Sequence, residues 1–213
     1  DGMLDLVVSR NYYDGANYFN KNLFTFRNVT TGTGSISFSA GPMLITSGYP
    51  WDIILADFDG DGRTDVISGN SERNNNTSLA SFRNLSISGT FSFDTETLIQ
   101  LVGVNPYSMA AGDLDKDGKI DLAVVHYSSN STSILRNISS LGAIRFVPAL
   151  TTNAVLSNPL GIALGDFDGD SNPDIAVSDQ SNQRVAFFLN TNSSTGTISF
   201  PTVPSLTFAT GGN

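Results

Sequence analysis

Three short acidic segments carry the side chains best suited to chemistry. Residues 57–66 read DFDGDGRTDV, residues 113–122 read DLDKDGKIDL and residues 166–175 read DFDGDSNPDI. Aspartates occupy the first, third, fifth and ninth positions of each, so these segments hold 12 of the 20 acidic residues. A hard cation such as Ca²⁺ takes about six to eight oxygen ligands, which carboxylates at alternate positions of a tight turn can supply. The sequence therefore predicts three cation-binding loops.

Each loop is expected to bind its ion through four aspartate side chains and one backbone carbonyl. The predicted ligands are Asp57, Asp59, Asp61, Asp65 and the Arg63 carbonyl; Asp113, Asp115, Asp117, Asp121 and the Lys119 carbonyl; and Asp166, Asp168, Asp170, Asp174 and the Asn172 carbonyl. Gly62 and Gly118 stand where the loop must turn sharply, so we expect a positive φ there. The third loop has Ser171 at this position and Pro173 two places on, which makes its geometry the least regular.

The spacing distinguishes these loops from other acidic motifs. An EF-hand requires a glutamate at the twelfth position, where this sequence has Ser68, Val124 and Val177. Mg²⁺ is less suitable because it retains water and demands a strict octahedron. The alternative is that the aspartates only form turns, but four carboxylates in nine residues repel one another without a cation. We therefore expect about three structural Ca²⁺ ions.

The rest of the sequence repeats in step with the loops, which begin 56 and then 53 residues apart. A proline precedes each loop, and an asparagine turn and an aromatic residue follow it. These landmarks are Pro50, Pro106 and Pro159; Asn28, Asn84, Asn137 and Asn190; and Phe38, Phe93, Phe146 and Phe200. The predicted units are 50–105, 106–158 and 159–213, after a partial unit 1–49 that has only Asp1 and Asp5 of its loop.

Each unit of about 55 residues is predicted to form four short antiparallel strands. One such sheet cannot bury both of its faces, so neighbouring sheets must stack, and radial stacking produces a β-propeller. Small residues such as Ala56, Ala110 and Ala163 suit the innermost strand, where the sheets converge. A two-sheet sandwich is the alternative, but it rarely has a long repeat that stays in step. The sequence predicts one all-β propeller over residues 1–213, either part of a larger ring or closed by a partner chain.

Composition argues against several classes of function. The formal net charge of −9 disfavours a nucleic-acid partner, because phosphates are bound by clustered Lys and Arg. There is no cysteine for a disulfide or thiolate site. No apolar run reaches the roughly 18 residues of a membrane span, so we expect no membrane insertion in this segment. His126 is the single histidine and, lacking counterparts in other units, is expected to be an ordinary strand-end residue.

Aspartate loops of this form, each followed by an apolar strand and recurring at blade spacing, resemble the FG-GAP and VCBS repeat families, which include the integrin α-subunit propeller. The resemblance extends over essentially all 213 residues. It implies a ring of about seven or eight blades, structural calcium, and ligands bound by loops on a propeller face. Runs such as MAAGD and IALGD replace the literal Phe-Gly and Gly-Ala-Pro signatures, so no integrin-type partner is implied. The turns beginning at Arg27, Arg83 and Arg136 are more similar to those of large bacterial secreted or surface proteins.

These observations predict a non-catalytic, calcium-stabilised module for adhesion, recognition or scaffolding in a larger secreted or cell-surface protein. Its partner would be a protein or glycan bound at the propeller loops, and the sequence does not indicate an oligomeric state. One alternative is the propeller of a secreted polysaccharide-degrading enzyme. Another is a glycan-binding lectin in which Trp51 and Tyr107 form a stacking platform, although aromatic packing at a blade edge is the commoner use.

Overall fold

The structure, a computed structural model, describes residues 2–10, 12–13, 18–19, 21–71, 77–87, 90–152 and 155–211. Within these ranges all regular structure is β-strand and no residue is helical, which confirms the predicted all-β class. No helix among the described elements could therefore cross a membrane. The strands are short because apolar runs alternate with clusters of Gly, Asn, Ser and Asp that favour turns.

The first five strands of the chain form a three-stranded sheet and a small hairpin. The strands are β1 (Leu6–Ser9), β2 (Tyr12–Tyr13), β3 (Tyr18–Phe19), β4 (Asn22–Asn28) and β5 (Phe38–Ile45). The sheet has the order β1-β4-β5, and β2 pairs with β3 in the hairpin. Both pairings of the sheet are antiparallel, with Leu6 opposite Phe26 and Leu23 opposite Leu44.

Twelve further strands of the described chain form three antiparallel sheets of four strands each, in which the strands pair in sequence order. The first sheet consists of β6 (Tyr49–Ala56), β7 (Asp65–Ser71), β8 (Ser78–Phe82) and β9 (Thr97–Gln100). The second consists of β10 (Pro106–Gly112), β11 (Asp121–His126), β12 (Ser131–Asn137) and β13 (Phe146–Thr152). The third consists of β14 (Pro159–Gly165), β15 (Asp174–Asp179), β16 (Arg184–Phe188) and β17 (Leu206–Ala209).

The first strands of successive four-stranded sheets lie against one another, β6 beside β10 and β10 beside β14. The sheets therefore converge on the side of these strands. A Cβ atom at Gly112 would come within 3.0 Å of Leu164 Cδ1 in the next sheet, so a larger residue there would require the Leu164 side chain to move. A small residue at Gly112 suits this close approach of β10 and β14.

The hydrophobic core lies between sheets rather than within any one of them. Along β11, Leu122 and Val124 pack into the cluster shared with the preceding sheet, whereas Ala123 and Val125 pack into the cluster shared with the next. Successive residues of a strand point to opposite faces, so a strand covered on both faces is apolar throughout. Sheets stacked in this way around their first strands are the blades of a β-propeller, as the sequence predicted.

Candidate metal centre

The three aspartate loops occupy equivalent places in the fold. Each connects the first strand of a four-stranded blade to the second, between β6 and β7, β10 and β11, and β14 and β15. The fourth aspartate begins the second strand and faces the small residue that ends the first, as in the pair Ala56 and Asp65. The same pairing joins Gly112 to Asp121 and Gly165 to Asp174. Two hydrogen-bonded strands therefore fix both ends of every loop.

The backbone conformation of the loops confirms the predicted sharp turn. Gly62 and Gly118 have φ values of 83° and 84°, and Ser171 takes the same left-handed conformation at 68°. A side chain makes this region unfavourable, so the third loop contains a strain that glycine avoids. A second left-handed residue, which the sequence analysis missed, lies two positions earlier: Gly60, Lys116 or Gly169.

Every loop gathers three carboxylates closely enough to share one ion. The groups are Asp57, Asp59 and Asp61; Asp113, Asp115 and Asp121; and Asp166, Asp168 and Asp174, with oxygens that all lie within 4.8 Å of one another in each group. These groups do not include Asp65, Asp117 or Asp170. Nine of the twelve predicted aspartates are therefore brought together in threes.

The predicted carbonyl ligands remain predictions, but the side chains of these residues have clear roles. Arg63 Nε donates a hydrogen bond to the Asn84 carbonyl at 2.8 Å, and its guanidinium pairs with Asp61. Lys119 Nζ donates to the Ser139 carbonyl at 2.9 Å. Asn172 Nδ2 donates to Asp170 Oδ2 at 2.7 Å. All three side chains help to fasten the loop.

Backbone N–H groups hold the first aspartate of each loop. Gly60 N donates to Asp57 Oδ1 and Gly62 N donates to Asp57 Oδ2, both at 2.8 Å. The matching bonds from Gly118 to Asp113 and from Ser171 to Asp166 measure 2.9 and 3.0 Å. Such bonds satisfy carboxylate oxygens and define the turn, so the loop conformation is built from the sequence itself.

The fourth aspartate fastens the loop to the rest of its blade. Phe58 N donates to Asp65 Oδ2 at 3.0 Å and Asn84 N donates to Asp65 Oδ1 at 2.8 Å. The same two contacts recur at Asp121 and Asp174. All three side chains are fully buried. Burial raises the pKa of Asp65 and of Asp121 to about 6. Backbone hydrogen bonds lower these pKa values in part, and the charges of neighbouring aspartates raise them further.

An arginine at the end of the third strand neutralises part of the charge in two of the loops. Arg83 Nε lies 2.6 Å from Asp59 Oδ2, and its Nη2 lies 3.2 Å from Asp61 Oδ2. Arg136 repeats the arrangement with Asp115 at 2.6 Å and Asp117 at 3.0 Å. Hydrogen bonding to these carboxylates raises the pKa of both arginines. Leu189 stands at the corresponding position of the third blade, so no arginine at this position pairs with that loop.

The first two loops are also covered by the following blade. Asn137 Nδ2 donates to the Phe58 carbonyl at 3.0 Å, and Gly142 N donates to Asp59 Oδ2 at 3.0 Å. Asn190 Nδ2 makes the equivalent bond to the Leu114 carbonyl at 2.9 Å. The third loop has no following blade among the described residues, and its first three aspartates are exposed. The three loops therefore share a backbone conformation. They differ in their contact with a following blade and in the pairing of their aspartates with arginine.

These properties suit a hard divalent cation. The donors are carboxylate oxygens, which Ca²⁺ prefers, and they come from one short loop whose fourth aspartate is held in a dry environment. Carboxylates so close together repel one another, and a cation bound between them offsets this repulsion by attracting each carboxylate. The described residues of each loop therefore fit an oxygen-coordinated cation.

The single histidine of the sequence, His126, is buried at the end of β11. Its ring is fully buried, and Nε2 shares a hydrogen bond with Ser133 Oγ at 2.8 Å. Burial lowers the pKa of His126 to about 4, which keeps the ring neutral near pH 7. A Cβ atom at Gly103 would overlap the imidazole, so the ring is packed against backbone. This placement agrees with an ordinary strand-end role for His126.

A row of aromatic rings lies at the strand ends opposite the loops. Trp51 and Tyr107, near the starts of β6 and β10, have ring centroids 5.2 Å apart. Tyr107 is in turn 5.7 Å from Tyr127, which follows the end of β11. The sequence analysis missed Tyr127 because its position beside Tyr107 depends on the pairing of β10 with β11. Trp51 and Tyr127 are 39% and 36% exposed, so the row meets solvent.

Comparison with known protein families gives a match to a repeat model. The model of the FG-GAP-like repeat matches residues 1–68, 57–124 and 113–177. The second and third of these matches each run from one complete aspartate loop to the next. Together these matches cover most of the chain, and the protein belongs to the FG-GAP-like repeat family. No curated protein matches the chain significantly.

Proposed function

We propose that this FG-GAP-like repeat chain is a non-catalytic β-propeller module that binds about three Ca²⁺ ions and serves adhesion, recognition or scaffolding in a larger secreted or cell-surface protein. One observation carries the proposal: each blade with a complete loop gathers three carboxylates within 4.8 Å at the junction of its first two strands. Residues 1–49, 50–105, 106–158 and 159–213 are the proposed blade units.

The proposed ion is structural. It would be held by the aspartates of each loop together with the carbonyls of Arg63, Lys119 and Asn172, and it would supply positive charge that offsets carboxylate repulsion. The loops join two strands of one blade and, in the first two cases, also contact the next blade. Binding at this junction would therefore stabilise both the hairpin and the stacking of blades.

A non-catalytic role is supported by the placement of the titratable groups. His126, the single histidine of the sequence, is buried and neutral. Twelve of the 20 acidic residues lie in the loops, where backbone N–H groups and arginines hold them. No observation favours a polysaccharide-degrading active site within the described residues.

An extracellular location is consistent with the proposed chemistry. Extracellular calcium modules typically bind with dissociation constants of about 10⁻⁴ to 10⁻³ M, which suits loops of this kind in a calcium-rich environment. Repeats of this family occur in extracellular proteins. The charge of −9 continues to argue against a nucleic-acid partner.

The proposed ligand-binding surface is the end of the propeller opposite the loops. Trp51, Tyr107 and Tyr127 form a partly exposed aromatic row there. Sugar rings stack on aromatic faces of this kind, so the row favours a glycan as the second candidate, beside a protein ligand. A glycan array probed with the wild type and with Trp51→Ala separates these cases. Retained signal in the variant would contradict binding at this row.

A Tb³⁺ luminescence titration, with Ca²⁺ as competitor, tests the calcium proposal directly. About three sites are expected, and Asp59→Asn, Asp115→Asn and Asp168→Asn should each remove or weaken one of them. Asp179→Asn is the matched control, because this buried aspartate pairs with Arg184 at 2.7 Å and lies outside the loops. A titration that none of the three loop variants alters would contradict the proposal.

A further inference from the structure

A polar cavity of about 240 Å³ lies between the first and second four-stranded blades, beside the first aspartate loop. One wall comes from the end of β8 and the start of β9, and the other from the turn between β12 and β13. The volume is below the roughly 300 Å³ at which sites for drug-sized molecules begin, so the cavity suits one small chemical group. Its polar lining consists of Ser81, Arg83, Asp94, Thr95, Thr97 and Arg145.

Arg83 connects the cavity to the aspartate loop. Its Nε lies 2.6 Å from Asp59 Oδ2, and its Nη2 lies 3.2 Å from Asp61 Oδ2. Gly142 packs against the guanidinium, because a Cβ atom there would lie 3.8 Å from the guanidinium carbon, and Gly142 N donates to Asp59 Oδ2 at 3.0 Å. A guanidinium has five N–H donors, so these contacts orient Arg83 and leave Nη1 for another acceptor.

Arg145 brings a second positive charge to the cavity. Its side chain is exposed, and no acidic side chain of the described residues pairs with it. Asp94 is the acidic residue of the described lining, and its Oδ1 accepts a hydrogen bond from Thr95 N at 2.8 Å. Guanidinium groups are donors only, and the threonine hydroxyls add further donors. This excess of donors and of positive charge favours an anionic group with several acceptor oxygens.

The next interface along the chain provides an internal comparison. Arg136 corresponds to Arg83 there, and Gly196 again packs against the guanidinium, since a Cβ atom at Gly196 would lie 3.2 Å from Arg136 Nη2. The residues that correspond to Asp94, Thr95, Thr97 and Arg145 are Val147, Pro148, Leu150 and Ser199. The arginine beside the loop therefore recurs, whereas the second arginine and the polar wall do not. Blade stacking does not require them.

We propose that this cavity binds one oxyanion, a sulfate or carboxylate group, between Arg83 and Arg145, and that calcium in the adjacent loop tightens this binding. Guanidinium groups hold such oxyanions through charge-assisted hydrogen bonds, which are stronger than bonds between neutral groups. The hydroxyls of Thr95 and Thr97 supply donors for the remaining oxygens. Because the protein carries a net charge of −9, the attraction comes from these local groups and not from its overall charge.

The effect of calcium rests on the proposed function. In the metal-free loop, Arg83 faces the carboxylates of both Asp59 and Asp61, which repel an incoming anion. A bound Ca²⁺ offsets this negative charge, so the anion enters a more positive site. Binding free energies are reciprocal, so calcium and the oxyanion should tighten each other by the same factor.

The test is a titration of sodium sulfate, and separately of sodium acetate, into ¹⁵N-labelled protein at constant ionic strength and constant free calcium. At least one ion should cause saturable shifts of the Gly142 amide and of the Arg83 and Arg145 Nε–H signals, with a dissociation constant in the millimolar range. In EDTA this dissociation constant should be at least about fivefold higher. Saturating anion should raise the calcium affinity by the same factor.

Two variants, each removing one charge from the lining, should act in opposite directions. Arg145→Gln should weaken binding of the anion at least about tenfold. Asp94→Asn should tighten it about twofold or more, because an amide oxygen can still accept from Thr95 N but no longer repels the anion. Arg10→Gln is the matched control, since it removes the same charge as Arg145→Gln at an exposed position just after β1, and it should leave the affinity unchanged.

Each part of the proposal can fail separately. The oxyanion site would be overturned by the absence of a saturable shift with either ion, by unchanged affinity in Arg145→Gln, or by an equal loss in Arg10→Gln. Equal anion affinity in calcium and in EDTA would overturn the coupling. The Tb³⁺ titration reports calcium binding independently, so it distinguishes these failures from a failure of the proposed function.

Discussion

Asn137 donates a hydrogen bond from Nδ2 to the carbonyl of Phe58, 3.0 Å away and in the preceding blade. The same amide group donates to the Ile120 carbonyl at 2.9 Å, while the Asn137 backbone N–H donates to Asp121. One asparagine therefore fastens its own aspartate loop and the loop of the neighbouring blade. Loop geometry and blade stacking are parts of one hydrogen-bond network.

Asn137→Ala should lower the free energy of unfolding by about 2 kcal/mol, because it leaves the buried Phe58 carbonyl and the partly buried Ile120 carbonyl without this donor. Asn28→Ala is the matched control. Asn28 Nδ2 bonds the Leu4 carbonyl at an exposed site, so its loss should cost clearly less. Urea unfolding measures the free energy of unfolding of both variants. Equal losses of stability would contradict a role for Asn137 in joining the two blades.

Arg136→Met should widen the difference in melting temperature between calcium-loaded and EDTA-treated protein. Without the guanidinium, Asp115 keeps a buried charge with no ion-pair partner, so the metal-free protein loses the most stability. Calcium supplies the missing positive charge. Thermal unfolding with and without calcium measures this difference in melting temperature. An unchanged or narrower difference in the variant would contradict the proposed neutralisation of Asp115 by Arg136.

Ser171→Gly should stabilise the third loop. Ser171 has a φ of 68°, a conformation that glycine adopts without a steric penalty, so we expect a gain of about 0.5–1 kcal/mol. Gly118→Ser at the corresponding position of the second loop should destabilise by a similar amount. Chemical unfolding in calcium tests both, and changes of the same sign would contradict the shared backbone plan.

The stabilising effect of calcium should grow as pH rises through about 6. In the metal-free protein the pKa values of Asp65 and Asp121 are raised to about 6 from an ordinary value of 3.8. Their contribution to stability is fully present below 3.8 and is lost as pH rises through 6, because the buried carboxylates then ionise. Bound calcium favours the ionised form and removes this loss.

His126 has the opposite pH dependence. Its pKa falls to about 4 from 6.5, so its contribution is present above 6.5 and is lost as pH falls towards 4. It lies at the other end of β11 from Asp121, so it affects the calcium-loaded and metal-free proteins alike. The difference in melting temperature between the calcium-loaded and metal-free proteins, measured at pH 5 and at pH 7.5, therefore reports the contribution of the loop aspartates alone. A calcium effect that is equal at the two pH values would contradict the assignment of this pH dependence to Asp65 and Asp121.

The blades and the loops were predictable from the sequence because their determinants are local. The ninth-position aspartate and the glycine at the turn lie within one loop, and the alternation of turn residues with apolar runs defines the strands. Positive φ at Gly62 and Gly118 follows from the same local chemistry.

The contacts between units were not predictable in this way. Asn137 and Phe58 are 79 residues apart, so their hydrogen bond depends on how blades stack. The recurrence of Arg83 and Arg136 was visible, but their ion pairs with loop aspartates require the third strand to end beside the loop. The left-handed Lys116 was missed because its residue type gives no sign of that conformation.

The most direct test of the account is thermal unfolding in EDTA and then in millimolar Ca²⁺, with Asp115→Ala alongside the wild type. We predict a reversible, calcium-specific rise in the melting temperature of the wild type that is smaller in the variant, because Asp115 belongs to one of three ion-binding groups. An identical melting temperature with and without calcium would contradict the central claim that the aspartate loops are structural metal sites.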